Sequence, residues 1–184
     1  TEAKTTTATG ALTANAGDTL TLGHAQTKGD QMLTAQGDLS ADALESTGGV
    51  IVASSEAGTL KSGTTTAQAV SFTAKAGSIE ADQSEATVGD LSFKAAQDVV
   101  ANASRAEQDV LVEAGRDVKL GSTNAGRDVE VEVKQDIALA TTDAGRDILL
   151  KSGRHTEAKT TTAGGTLTAN AGGTLTANAG EIGR

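Results

Sequence analysis

Between Gly89 and Leu150 the apolar residues return every 19 positions, in two pairs per repeat. Leu91, Val110, Val129 and Ile148 are one such series, and Phe93, Val112, Val131 and Leu150 another. Val99, Val118 and Ile137 keep the same step, with Ala101, Leu120 and Leu139 two residues on. A period near 20 is the mark of a solenoid, in which each repeat makes one turn and stacks on the next. Within a repeat the apolar residues mostly alternate with polar or small ones, as in Val129-Glu130-Val131-Glu132-Val133. Alternation is strand periodicity, and a 19-residue unit is too short for a strand–helix–strand crossover. The spacing therefore predicts an all-β chain of stacked parallel coils, with two or three short strands per coil. Turn residues punctuate them: Gly115-Arg116-Asp117, Gly126-Arg127-Asp128 and Gly145-Arg146-Asp147.

The strands of adjacent coils are expected ~4.8 Å apart, with like side chains stacked inside in ladders. Leu111 and Leu149 break the alternation and predict a wall that is partly apolar outside. A third wall is read through Ser104, Thr123 and Thr142, then Ala106, Ala125 and Ala144. Its small inward residues place it close to the axis. Phe72 and Phe93 are the chain's aromatic residues, so the interior is narrow and filled by aliphatics. The period holds less strictly towards the ends. Leu39 to Leu60 is 21 residues and Ile79 to Val99 is 20, which predicts swollen turns, since a one-residue slip within a strand would turn its apolar face outward. Thr1 to Ala8 recurs as Thr156 to Ala163, and Leu12 to Gly17 as Leu167 to Gly172. This offset of 155 residues is close to a whole number of coils. The expected domain is a single one, 1–184, most regular at 89–153, with ~9 or 10 coils and a length of ~45 Å.

Composition narrows the functions open to such a chain. With no cysteine, it has no disulfide or cysteine-ligated metal to hold it. A net charge of −9 opposes binding to nucleic acid or an anionic membrane. No apolar run approaches the length of a membrane span, so membrane insertion is not expected, and neither is a leader at Thr1.

Ala-Gly-Arg-Asp-Val-Lys-Leu at 114–120, with its variants at Ala125 to Val131 and Ala144 to Leu150, carries a more specific likeness. Together with Gly10 to Leu22 it resembles the central repeats of filamentous haemagglutinin, a bacterial adhesin exported by two-partner secretion. Contact-dependent inhibition toxins and haemolysin-like exoproteins share related repeats. The resemblance implies a right-handed parallel β-helix in a secreted or cell-surface protein. It implies a shaft that spaces or presents regions binding host-cell receptors or glycans. Export would run through an outer-membrane transporter, recognised by an N-terminal domain that this piece of a longer chain is expected to lack. Gly-Arg-Asp is not the integrin-binding Arg-Gly-Asp, and heparin binding known in the family finds no basic cluster here.

No catalytic, cofactor or metal residue is predicted, so the chain is expected not to be an enzyme. The columns Asp90, Asp109, Asp128, Asp147 and Asp98, Asp117, Asp136 read as turn caps rather than calcium ligands. Arg116, Arg127 and Arg146, each one residue before an Asp, are placed to offset their charge. The runs Thr5-Thr6-Thr7, Thr64-Thr65-Thr66 and Thr160-Thr161-Thr162 read as ordinary residues of an exposed wall. His24 and His155 read as exposed turn histidines, and Asn102-Ala103-Ser104 as a chance glycosylation triplet. Glu80, Asp82, Glu85 and Asp90 would suit a polysaccharide-cleaving wall only if carboxylates of adjacent coils met over a groove. The leading expectation is a structural and adhesive shaft. A toxin stalk and a β-helix polysaccharide-binding or polysaccharide-cleaving protein are the alternatives.

Overall fold

The computed structural model describes residues 1–177 and 180–182. The first ten strands are β1 (Glu2–Ala8), β2 (Leu12–Ala16), β3 (Leu20–Thr27), β4 (Gln31–Ala35), β5 (Leu39–Ser46), β6 (Ile51–Ser55), β7 (Leu60–Ala67), β8 (Val70–Ala74), β9 (Ile79–Ala86) and β10 (Leu91–Ala95). They are followed by β11 (Val99–Ala106), β12 (Val110–Ala114), β13 (Val118–Ala125), β14 (Val129–Val133), β15 (Ile137–Ala144), β16 (Ile148–Ser152), β17 (Thr156–Ala163), β18 (Leu167–Ala171), β19 (Leu175–Ala177) and β20 (Gly180–Ile182). Among the described residues there is no helix, and so none that could cross a membrane. A long strand and a short strand make one coil. The long strands stack in the order β1, β3, β5 through to β17, with β19 and β20 both paired to β17. The short ones, β2 to β18, stack as a second sheet of 9 strands. Every pairing is parallel, and in the regular region it advances by one 19-residue coil, Val110 to Val129 to Ile148. The fold is a β-solenoid of about nine coils, as the spacing predicts.

The insertions fall where expected. Leu39 pairs Leu60 and Ile79 pairs Val99 in unbroken register, so the extra residues lie in the turns. Leu111 and Leu149 point outward and are half-buried, which gives that wall its expected apolar patches.

The second and third walls are one bent strand rather than two. In β13 Val118 and Leu120 point inward, Gly121 and Ser122 both point outward, and Thr123 and Ala125 point inward again. Two consecutive outward residues shift the alternation by one and turn the wall. Gly121 has no paired partner in the register between β13 and β15, which marks the corner. The same phase shift corrects the reading of the threonine runs. Thr64 is exposed, but Thr65 and Thr161 are buried in the interior.

Inside, apolar rungs run the length of the rod. Phe72 and Phe93 stack with ring centroids 5.8 Å apart, and opposite them on the same coils stand the small residues Ser62 and Ala81. The third wall holds a column of hydroxyls from Thr65 through Ser84, Ser104, Thr123 and Thr142 to Thr161. Thr65 Oγ1 is 2.6 Å from Ser62 Oγ and shares a hydrogen bond with it. The five hydroxyls beyond Thr65 have no hydrogen-bond partner among the described residues. Their inward neighbour is alanine or leucine, Ala81, Ala101, Leu120, Leu139 and Ala158, where Ser62 stands in the fourth coil. Thr142→Val is therefore expected to stabilise the chain by about 1 kcal/mol, by removing a buried unpaired hydroxyl at nearly constant shape. Thr65→Val, the same chemical change, should destabilise it by a similar amount, since Ser62 loses its partner. Thermal unfolding of the two variants reads both signs.

Candidate functional site

Two features of the surface are built repetitively enough to carry a function: the aspartate columns at the turns and a polar groove at the corner of the long strands.

Each aspartate stands just before a strand and reaches to the coil that follows. Asp90 Oδ1 accepts the Asp109 backbone N–H at 3.1 Å, Asp109 that of Asp128 at 3.1 Å, and Asp128 that of Asp147 at 3.1 Å. Asp147 accepts both the N–H and the hydroxyl of Thr166, each at 2.7 Å. On the other edge Asp98, Asp117 and Asp136 accept the N–H groups of Asp117, Asp136 and His155 at 3.2, 3.1 and 3.0 Å. The capping expected from sequence is present, and it ties one coil to the next rather than closing its own turn. His155 takes an aspartate's place in this column, its Nδ1 accepting the Thr174 N–H at 3.1 Å. His24 is different: it lies within β3 and is half-buried, not in a turn.

The arginines resolve the stacking of like charge. Arg116 holds Asp98 with two hydrogen bonds, Nε–Oδ1 at 3.0 Å and Nη2–Oδ2 at 2.5 Å. Arg127 reaches Asp109 at 3.1 Å and Gln108 at 3.0 Å, and Arg146 grips both oxygens of Asp128. Each arginine thus serves the aspartate of the preceding coil, not the one beside it in sequence. The Arg116 guanidinium holds the Asp98 carboxyl below its ordinary value of 3.8, with help from the Asp117 N–H. Arg146 and the Asp147 N–H lower Asp128 in the same way, and the Thr166 N–H and hydroxyl lower Asp147.

A carboxyl lowered in the folded chain stabilises it at pH above the unfolded value, and that stabilisation disappears as pH falls through the folded value. The melting temperature should therefore be flat from neutral pH down to the ordinary carboxylate range near 4 and drop below it. Asp128→Asn should lower the neutral-pH plateau and shrink the drop. Melting curves across acid pH, for the parent chain and this variant, check both.

The four carboxylates named from sequence have separate partners. Glu80 pairs with Lys61 at 2.9 Å, Asp82 accepts from Asn102 at 2.8 Å, Glu85 faces Arg105 at 3.7 Å, and Asp90 belongs to the turn column. Glu80 and Asp82 share one wall, two residues apart on β9, while Glu85 lies past the corner and Asp90 in the turn. Asn102 is exposed, and Ser104 of the same triplet points into the core.

The corner groove was not legible in the sequence. Over the fourth to seventh coils, Thr64, Thr66, Gln83, Glu85, Ser122 and Asn124 line a recess of about 650 Å³. It continues round the corner into a second, of about 670 Å³, past Asp42, Gly63, Asp82 and Asn102. The two share Thr64, Gln83 and Ala103, so they adjoin at the corner. Gly63 between Asp42 and Asp82 opens it, and the short side chains of the neighbouring column keep it shallow. Its lining of hydroxyls, amides and carboxylates, with the Arg105 guanidinium, suits a hydrogen-bonding ligand. It has no aromatic platform, since both phenylalanines are in the core. Asp42 and Asp82 stand two coils apart, so the groove does not present carboxylates of adjacent coils. Among the described residues no cluster of three His, Cys, Asp or Glu side chains is placed to hold a metal ion.

Comparison with known proteins finds no family model, no curated protein and no solved structure that matches this chain.

Proposed function

We propose that this chain is a non-catalytic shaft segment of an exported bacterial surface adhesin, spacing or presenting the regions that attach to host cells. The observation that carries the reading is the continuity of the two sheets. β1 connects to β17 and β2 to β18 without a break, so each coil supports its neighbours over the whole rod. The aspartate and arginine ladders add a second coil-to-coil tie along both edges. Such a rod gains length in proportion to its sequence and holds its ends apart. Export through an outer-membrane transporter, and receptors or glycans as the eventual partners, come with the likeness of the Ala-Gly-Arg-Asp repeats to filamentous haemagglutinin. A carbohydrate-binding wall is a second reading, favoured by the polar corner groove.

The test is to place residues 1–184 between an outer-membrane anchor and an epitope on the bacterial surface. The shaft reading expects the epitope to move outward by ~45 Å in electron micrographs. It also expects the soluble chain not to compete with whole adhesin for host cells. An epitope that does not move outward would contradict it. Direct saturable binding of the soluble chain to cells or to polysaccharide would favour the second reading.

A further inference from the structure

The turn columns tie each coil to the next through an acceptor that stands just before a strand. At Asp98, Asp117 and Asp136 that acceptor is a carboxylate oxygen. At the next step of the column, in the turn between β16 and β17, it is the imidazole of His155. The Thr174 N–H donates to its Nδ1 at 3.1 Å, which requires a neutral ring with its proton on Nε2. Protonation makes Nδ1 a donor facing another donor, and the tie is lost. Among side chains, histidine is the one that ordinarily changes charge between about pH 5 and 8.

What stands over the acceptor also changes at this step. Over Asp98 and Asp136, one coil on, come Arg116 and Arg154, which reach down to their carboxylates at 3.0 and 3.8 Å. Over His155 the corresponding residue is Gly173. A Cβ there would lie 3.1 Å from both Nδ1 and Cε1 of the ring. The coil above therefore passes directly over the imidazole and sets no guanidinium against it.

The charged groups about the ring are Asp136 beneath it, Glu157 two residues on in β17, and Arg154 beside it in the turn. His155, Asp136, Glu157 and Thr174 line one recess of about 350 Å³. Arg154 is already drawn down to Asp136 and to Gln135, whose Oε1 it meets at 3.3 Å. From the coil above, Thr174 and Thr176 complete the recess and carry no charge. The neutral ring is held from above by a backbone N–H, whereas a charged ring is attracted by carboxylates below and beside it.

We propose that His155 makes the contact between the ninth coil and the coil above it a proton-operated latch. The neutral ring closes it; the protonated ring turns to Asp136 and Glu157 and opens it. Because the neutral form carries the tie, its contribution is complete at high pH and is lost as pH falls through the histidine range. The contact is one among many in the stack, so the opening is local and leaves the melting plateau in place.

Hydrogen exchange of the 184-residue chain, followed by NMR at about pH 8 and about pH 5, reads the latch at a single amide. Relative to the exchange of an unstructured peptide at each pH, Thr174 should be about fivefold less protected in acid, the equivalent of one hydrogen bond. The Asp117 and Asp136 N–H groups, held by carboxylates in the same column, should keep their protection. His155→Asp installs the column's usual acceptor, as Asp147 serves Thr166, and should hold Thr174 protection constant between the two pH values. His155→Asn supplies an acceptor that does not titrate, in case a further charge over Asp136 disturbs the coil. Thr174 protection that does not change with pH in the parent chain would overturn the proposal. So would a fall that persists in both variants.

Discussion

Val129→Asp is expected to destabilise the chain by several kcal/mol, and Glu130→Asp, one residue on, by about 0.5 kcal/mol or less. Val129 is fully buried, stacked between Val110 below and Ile148 above. The substitution removes a buried aliphatic side chain, worth roughly 1.5–3 kcal/mol, and puts a carboxyl into an apolar rung with no partner. That carboxyl either stays charged at high cost or takes up a proton, so the loss should be greatest at neutral and alkaline pH. Glu130 points outward, and its ion pair to Lys151, at 3.5 Å, is solvent-screened. Melting curves of the two variants measure the difference. Equal losses would mean that the inward and outward faces of β14 are misassigned.

Much of this architecture is written in the 19-residue step, because a ladder of like residues needs each position to keep its chemistry from coil to coil. Val110, Val129 and Ile148 announce a rung, and so do the small residues Ala106, Ala125 and Ala144. The bend in the long strand is harder to read. Gly121 and Ser122 look like a lapse in the alternation, and only the geometry shows that two outward residues turn a wall. That shift put Thr65 and Thr161 inside, where a run of three threonines reads as surface. The partner of each aspartate was hidden for a different reason. Arg116 is adjacent to Asp117 in sequence but bonds to Asp98, 18 residues back, because a neighbour along the stack is nearer than a neighbour along the chain. The spacing of the Arg-Asp pairs carried that signal. The groove carried none, since its depth depends on which small side chains of five separate coils fall side by side around Gly63.

The central claim is that one 19-residue coil is an interchangeable rung of a stacked rod, and a pair of deletions tests it most directly. Deleting Gly126 to Ala144 joins Ala125 to Gly145, so β13 runs through the turn Gly145-Arg146-Asp147 into β16. Ile148 then lies over Val110, and Thr156 over Val118, at the same one-coil spacing that each now has to Val129 and Ile137. Stability in a solenoid is a sum over coils and their neighbours, so one fewer coil should leave a folded, shorter rod. Deleting only Gly126 to Gln135 joins Ala125 to Asp136 and sets the long strand β15 where a short strand belongs. Every ladder above that point is then out of phase. Circular dichroism and thermal unfolding decide between them. The account predicts a parent-like spectrum per residue and a cooperative transition for the whole-coil deletion, with loss of both for the partial one. If the two deletions unfold the chain alike, or both leave it folded, the stacked coil is not the unit of this protein.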